Sequence, residues 1–181
     1  MPTLLSFPEP ADIAELVVAC SRRDMSITNF AVEGLVLNDE GQAVLIKRGP
    51  MCRDNIGLLE GIGGQCTNAE RFRDALHREI EEEVGTAAVI EIDRFSHLRL
   101  QHDGEGASGT AANWIVVFYI CGWRSGPMTV TEPTKIAASL WLTRAHSAPR
   151  ISHLRQDFRW IFTARPSGKL RLMTRQEIYS H

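Results

Sequence analysis

The chain has 181 residues, of which 44% are hydrophobic and 23% charged, with a formal net charge of −2. That length suits one domain with a substantial core, and the composition excludes a disordered or fibrous chain. A charge so near zero leaves no electrostatic footprint for duplex nucleic acid or an anionic membrane, and no apolar run approaches a membrane span.

The N-terminal stretch carries Pro8, Glu9, Pro10 and Asp12 and lacks a basic region, so it does not read as a signal peptide. Met1 to Glu9 reads as extended. Pro10 suits the first turn of a short helix ending near Arg23, with Ile13, Leu16, Val17 and Cys20 as its apolar face. Residues 1–25 therefore form an N-terminal extension that caps the domain or contributes to a homodimer. Residues 26–37 and 42–48 read as strands joined by the turn Asn38-Asp39-Glu40-Gly41, a hairpin signal. Residues 49–57 have loop chemistry. Leu58 to Glu60 make a short strand leading into a glycine loop at Gly61 to Gly64. That loop does not complete a dinucleotide fingerprint, because the third glycine of G-x-G-x-x-G falls on Cys66, and there is no phosphate-binding G-x-x-x-x-G-K-[ST] loop. Cys20, Cys52, Cys66 and Cys121 lack C-x-x-C spacing and read as reduced thiols of a cytoplasmic protein.

The next stretch is the most informative. Thr67 and Glu70 form a T-x-x-E capping box, and Phe72, Ala75, Leu76, Ile80 and Val84 recur at helical spacing. Gly85 is a C-terminal stop. The spacing predicts a helix over about 68–84. Its last turn holds Glu79, Glu81, Glu82 and Glu83, where the helix dipole disfavours acids and where like charges three or four apart repel by about 0.2–0.5 kcal/mol per pair. At about 100° per residue, Glu79, Glu82 and Glu83 share one arc beside the apolar stripe, while Glu81 points elsewhere. Three carboxylates at the edge of a core call for a counter-charge, and hard oxygen ligands suit Mg²⁺ or Mn²⁺. A solvated acidic face is the competing reading. The wrong helix end, the apolar border and the upstream glycines weigh against it.

Residues 87–101 read as a strand and residues 102–112 as a polar, glycine-rich loop, with Asp103 and Glu105 as solvated acids. Residues 113–122 read as a buried strand, 129–133 as turn or edge, and 136–143 as a further strand. Trp114, Tyr119 and Trp141 read as core aromatics, and His97 and His102 as strand-edge polar residues. Ile151, Leu154, Phe158 and Ile161 space out a C-terminal helix ending before Pro166. The domain is thus expected over 26–165, with a C-terminal tail over 166–181.

Gly64-x5-Glu70-x7-Arg78-Glu79-Ile80-x-Glu82-Glu83-x-Gly85-Thr86 resembles the Nudix box. Every fixed glycine, glutamate and arginine stands at its spacing, while Thr86 replaces the final aliphatic residue and Ile62 a common proline. The resemblance implies an α/β/α sandwich with a mixed sheet between helices. It implies a Mg²⁺-dependent hydrolase that splits a diphosphate bond in a nucleoside diphosphate linked to another group, such as a nucleoside triphosphate. Glu79, Glu82 and Glu83, with the Gly64 carbonyl, are expected to hold the cation, and Arg78 to orient the carboxylates. Arg48, Arg53 and Gly63 are expected on the substrate phosphates, and Glu132 as an extra ligand or base. A coenzyme A-type pyrophosphatase is a substrate variant, from the spacing of Arg48, Arg53 and Gly57. A non-catalytic nucleotide-sensing module of the same fold is the alternative. The partner in either case is a small-molecule nucleotide, not duplex nucleic acid or membrane.

Overall fold

The structure is a computed structural model that describes residues 3–5, 8–21, 29–52, 56–67, 70–103, 112–142, 163–164 and 170–171. In chain order the elements are β1 (Thr3–Leu5), α1 (Ile13–Ser21), β2 (Asn29–Leu37), β3 (Ala43–Arg48), β4 (Leu59–Glu60), β5 (Ile62–Gln65), α2 (Phe72–Val84), β6 (Val89–Asp103), β7 (Ala112–Ser125), β8 (Ile136–Leu142), β9 (Thr163–Ala164) and β10 (Leu170–Arg171). Eight strands form one mixed sheet in the order β1-β6-β7-β2-β3-β4, with β5 added on β2 and β8 on β3; β9 and β10 pair separately. The β2–β7 pair is parallel along its whole length, from Asn29 opposite Trp114 to Leu37 opposite Gly122, and the other pairings are antiparallel.

Strict alternation in β2 turns Phe30, Val32 and Val36 to one face, where they are buried. The apolar stripe of α2, which is Phe72, Ala75, Leu76, Ile80 and Val84, packs on that face together with Ile115, Val117 and Tyr119 of β7. Burial of such side chains contributes about 1.5–3 kcal/mol each, so the sheet fixes the roll of α2 and with it the direction of every glutamate on the helix. Ile13 and Leu16 of α1 join the same core.

Several expectations are corrected. The helix α2 begins at Phe72, not near residue 68. Arg71 is extended and bridges Asp12, and the Phe72 N–H donates to the Ala11 carbonyl at 3.1 Å, so the N-terminal segment supplies the acceptor at the helix start. The capping box is half made: the Thr67 N–H donates to Glu70 Oε1 at 2.7 Å, in the turn ahead of the helix. The glycine loop is strand β5, paired with β2. Strand β6 continues through His102 and Asp103, which pair with Asn113 and Ala112, so these two residues belong to a strand rather than a loop. Finally α1 starts at Ile13, capped by Asp12, whose Oδ1 accepts the Glu15 N–H at 2.9 Å; Pro10 lies ahead of it. Val17, expected in the packed face of α1, is exposed, as is Trp141 on the edge strand β8. The helix expected through Ile151, Leu154, Phe158 and Ile161, and Glu105, lie outside the described residues.

Candidate functional site

The site forms where the last two turns of α2 meet β5. Burial grades the four acids of this stretch: Glu83 is 8% exposed, Glu79 is half-buried, and Glu81 and Glu82 are exposed. The helix ends at Gly85, whose φ of 83° is a conformation that side chains resist. The following segment then folds back on the helix end. The Thr129 N–H donates to the Val84 carbonyl at 2.9 Å, and the Thr131 hydroxyl donates to the Glu82 carbonyl. These bonds satisfy carbonyls that a helix terminus leaves open, and they seat residues 129–136 beside the glutamates.

The glycine pair explains how the acids come so close to the sheet. A side chain on Gly63 would collide with the Val32 carbonyl and stand 2.8 Å from the Glu33 Cα; one on Gly64 would stand 2.5 Å from the Glu79 carboxyl carbon. With no Cβ in the way, Glu79 lies directly on Gly64, and Glu83 accepts the Gly63 N–H at 3.0 Å.

Arg78 gathers the remaining carboxylates. Its Nε and Nη2 donate to the two oxygens of Glu70 at 3.1 and 2.9 Å, and its Nη1 donates to Glu79 at 2.7 Å and Glu82 at 3.1 Å. The last N–H reaches the Gln65 carbonyl at 3.2 Å, so all five guanidinium donors are used. Arg78 holds the Glu70 carboxyl at about 2, well below the usual carboxylate range. The Arg78 guanidinium is itself raised by Glu70 and Glu79.

Elsewhere in the cluster the balance reverses. Burial pushes the Glu83 carboxyl well above its ordinary value, and Glu79, Glu60 and Glu132 push it further against the opposing Gly63 N–H. Burial also raises Glu79; Arg78 pulls it down, and Glu82 and Glu132 push it up. The thiol of Cys66 is pushed up to about 12 by burial and then by Glu70 and Glu79. Negative charge is thus in excess at this helix end even with Arg78 in place.

The structure therefore brings Glu79, Glu82, Glu83, Arg78, Gly63 and Gly64 together, with Glu132 within electrostatic reach. Arg48, at the end of β3, donates from Nη1 to Glu60 at 2.6 Å and is mostly buried in that ion pair. Arg53 lies outside the described residues. Glu60 is the member that sequence reasoning missed. It belongs to no motif, and only the antiparallel pairing of β4 with β3 sets it against Arg48 and near Glu83. Among the described residues no three His, Cys, Asp or Glu side chains already stand in metal-ligand geometry; Glu79 and Glu82 face Arg78, and Glu83 faces Gly63. A cavity of about 360 Å³ lies at the opposite end of α2, lined by Glu9, Arg71, Arg73, Asp74 and Tyr119 among others, and is remote from this chemistry.

Fold and site together define a mixed-sheet α/β protein built around a helix whose glutamate-rich end is seated on a glycine strand. The NUDIX domain model matches residues 28–161. Among solved structures the chain is similar to a MutT NUDIX hydrolase from Burkholderia pseudomallei, at 26% identity over 69% of this chain and 90% of that one, with a TM-score of 0.55. It is also similar in fold to a MutT protein from Methanosarcina mazei Go1, at 18% identity over 65% of this chain and 78% of that one, with a TM-score of 0.51. No curated protein matches it. The chain belongs to the Nudix family and is a hydrolase of that family.

Proposed function

We propose that the chain is a Mg²⁺-dependent hydrolase, with Mn²⁺ able to substitute, of the diphosphate bond in a nucleoside diphosphate linked to another group, a nucleoside triphosphate or related nucleotide being the substrate. The observation that carries this reading is the surplus of mutually repelling carboxylates that Gly63 and Gly64 allow against the sheet. The donor set fits a hard divalent cation: Glu79, Glu82 and Glu83, with the Gly64 carbonyl, would hold it. When bound, the cation supplies charge neutralisation at the diphosphate and Lewis acidity toward water.

The protein's own groups do the rest. Arg78 has no donor to spare, so it positions Glu79 and Glu82 rather than touching substrate. The Gly63 N–H keeps Glu83 aimed at the cluster. Glu79 and Glu83 have the raised proton affinity that a base needs to take the proton of the attacking water, and Glu132 stands close enough to share that role. Attack at phosphorus forms one P–O bond and breaks the bridging P–O bond, releasing two phosphorylated products. Arg48 and Arg53 would bear on the phosphate oxygens, Arg48 by exchanging Glu60 for substrate; Gly63, expected there too, has its one N–H committed to Glu83 and so serves the carboxylate instead.

The test is a panel of nucleotides with Mg²⁺, with product masses recorded, for the wild type and for Glu82→Gln and Glu83→Gln. Turnover should fall by about a hundredfold or more in both variants while the far-UV spectrum is kept. Equal activity in wild type and variants refutes the reading. Nucleotide binding without products in the wild type would instead make the chain a sensing module.

A further inference from the structure

The cations near the glutamates are unequally committed. Arg78 has all five donors engaged, and Arg48 is held by Glu60 with 19% of its side chain exposed. Lys135 differs. Its side chain is 60% exposed, and among the described residues its ammonium makes one contact, donating to Glu132 Oε1 at 2.7 Å. An ammonium has three donors, so two remain.

Its place is fixed from both sides. Upstream, Thr129 and Thr131 bind the carbonyls of Val84 and Glu82 at the end of α2. Downstream, the Lys135 carbonyl accepts the Gly49 N–H at 2.5 Å and the Cys52 thiol at 3.0 Å, and the Thr134 carbonyl accepts the Met51 N–H at 3.0 Å. The turn 132–135 closes with the Lys135 N–H on the Glu132 carbonyl at 3.0 Å. Lys135 is thus carried on backbone clamped between the glutamate end of α2 and the loop after β3, whatever its side chain does.

We propose that Lys135 is a substrate-contact residue whose ammonium, steadied by Glu132 at the mouth of the carboxylate cluster, takes an oxygen of the substrate's diphosphate. The inference deepens the pyrophosphatase reading and rests on it. A diphosphate arriving at this helix end meets Glu79, Glu82, Glu83, Glu60 and Glu132, and a cation with open donors is needed to set its orientation. Lys135 supplies a point charge with free donors on the solvent side, where incoming phosphate oxygens arrive. The ion pair with Glu132 and the anchoring of the preceding Thr131 on the Glu82 carbonyl keep this charge beside the glutamate end of α2.

The experiment is steady-state kinetics of Lys135→Gln and Lys135→Arg on the best substrate of the panel, with inorganic pyrophosphate as a competitive probe. Lys135→Gln should raise KM and the pyrophosphate inhibition constant by about tenfold, with kcat changed less than about threefold; Lys135→Arg should restore most of the loss. The difference should shrink as salt is raised, because the group is exposed. Freeing Glu132 from its partner could mimic the effect by repulsion alone, so the same substitution is made in the Glu132→Gln background. KM must still rise there. A KM unchanged in Lys135→Gln, a loss confined to kcat, or a Glu132→Gln/Lys135→Gln double variant with the KM of Glu132→Gln would each overturn the contact. Pyrophosphate binding with Mg²⁺ is also read by calorimetry, without turnover. A wild type inert on every nucleotide refutes the enzyme reading, while the calorimetric comparison decides Lys135 separately.

Discussion

Replacing Arg78 by alanine tests the electrostatic account of the site through folding rather than catalysis. A Glu70 carboxyl held at about 2 instead of 4.5 corresponds to about 3.4 kcal/mol of preference for the ionised form at neutral pH. Thr67 also holds Glu70, by its N–H at 2.7 Å, and the Arg78 side chain is 33% exposed, so the part that Arg78 contributes after solvent screening is about 1.5–2 kcal/mol. Because the carboxyl is depressed in the folded chain, this stability is present above the unfolded value and is lost as pH falls from about 4.5 toward 2. Arg78→Ala should therefore lower Tm near neutral pH by about 3–8 °C for a chain of this size, measured without divalent ions. The gap between variant and wild type should narrow steadily as pH drops below about 4.5. Urea unfolding at several pH values reads both effects. An equal loss at pH 7 and near pH 2.5, or no loss at neutral pH, would mean that Arg78 does not hold Glu70 as described.

Two further outcomes follow from the glycine pair and the buried acids. Gly64→Ala places a methyl against the Glu79 carboxylate and should cost about 1–3 kcal/mol of stability and at least about tenfold in turnover by displacing that side chain; calorimetric unfolding and kinetics check the two separately. The carboxyls of Glu83 and Glu79 are raised in the folded chain. Without divalent ions their contribution to stability is therefore present below the unfolded carboxyl range and lost as pH rises through the folded values. A bound cation needs the ionised acids. The rise in Tm caused by Mg²⁺ should then be larger at about pH 8 than at about pH 5, reaching about 5–10 °C near a hundredfold excess over Kd. A Mg²⁺ shift independent of pH in a thermal titration would contradict this.

How much of the site was readable from the residues differs between its parts. The acids at the wrong end of a helix were legible because helical spacing and dipole direction are local properties, and the core stripe from Phe72 to Val84 follows from the same period. The start of that helix was not. Its acceptor is the Ala11 carbonyl, about sixty residues away in sequence, and no local signal announces that partner. The glycine pair stood out ahead of the helix, but the sequence did not tell what it makes room for: the backbone of β2 and the Glu79 carboxylate. Arg48 stood out as a basic strand end, yet its ion pair with Glu60 depends on the register of β3 with β4.

The order of residues along the chain thus determined the strands β2, β3 and β7, the apolar stripe of α2 and where that helix stops, and that its end carries more negative charge than a helix tolerates. Those outcomes depend on neighbours within a few positions, which a linear sequence displays. Only the tertiary structure decided which carboxylate is buried, which is held by Arg78, and which cation keeps donors open to solvent. Burial and ion pairing are set by strands and loops that meet in space from distant parts of the chain, and the desolvation that raises Glu83 exists only once β5 and α2 have packed together.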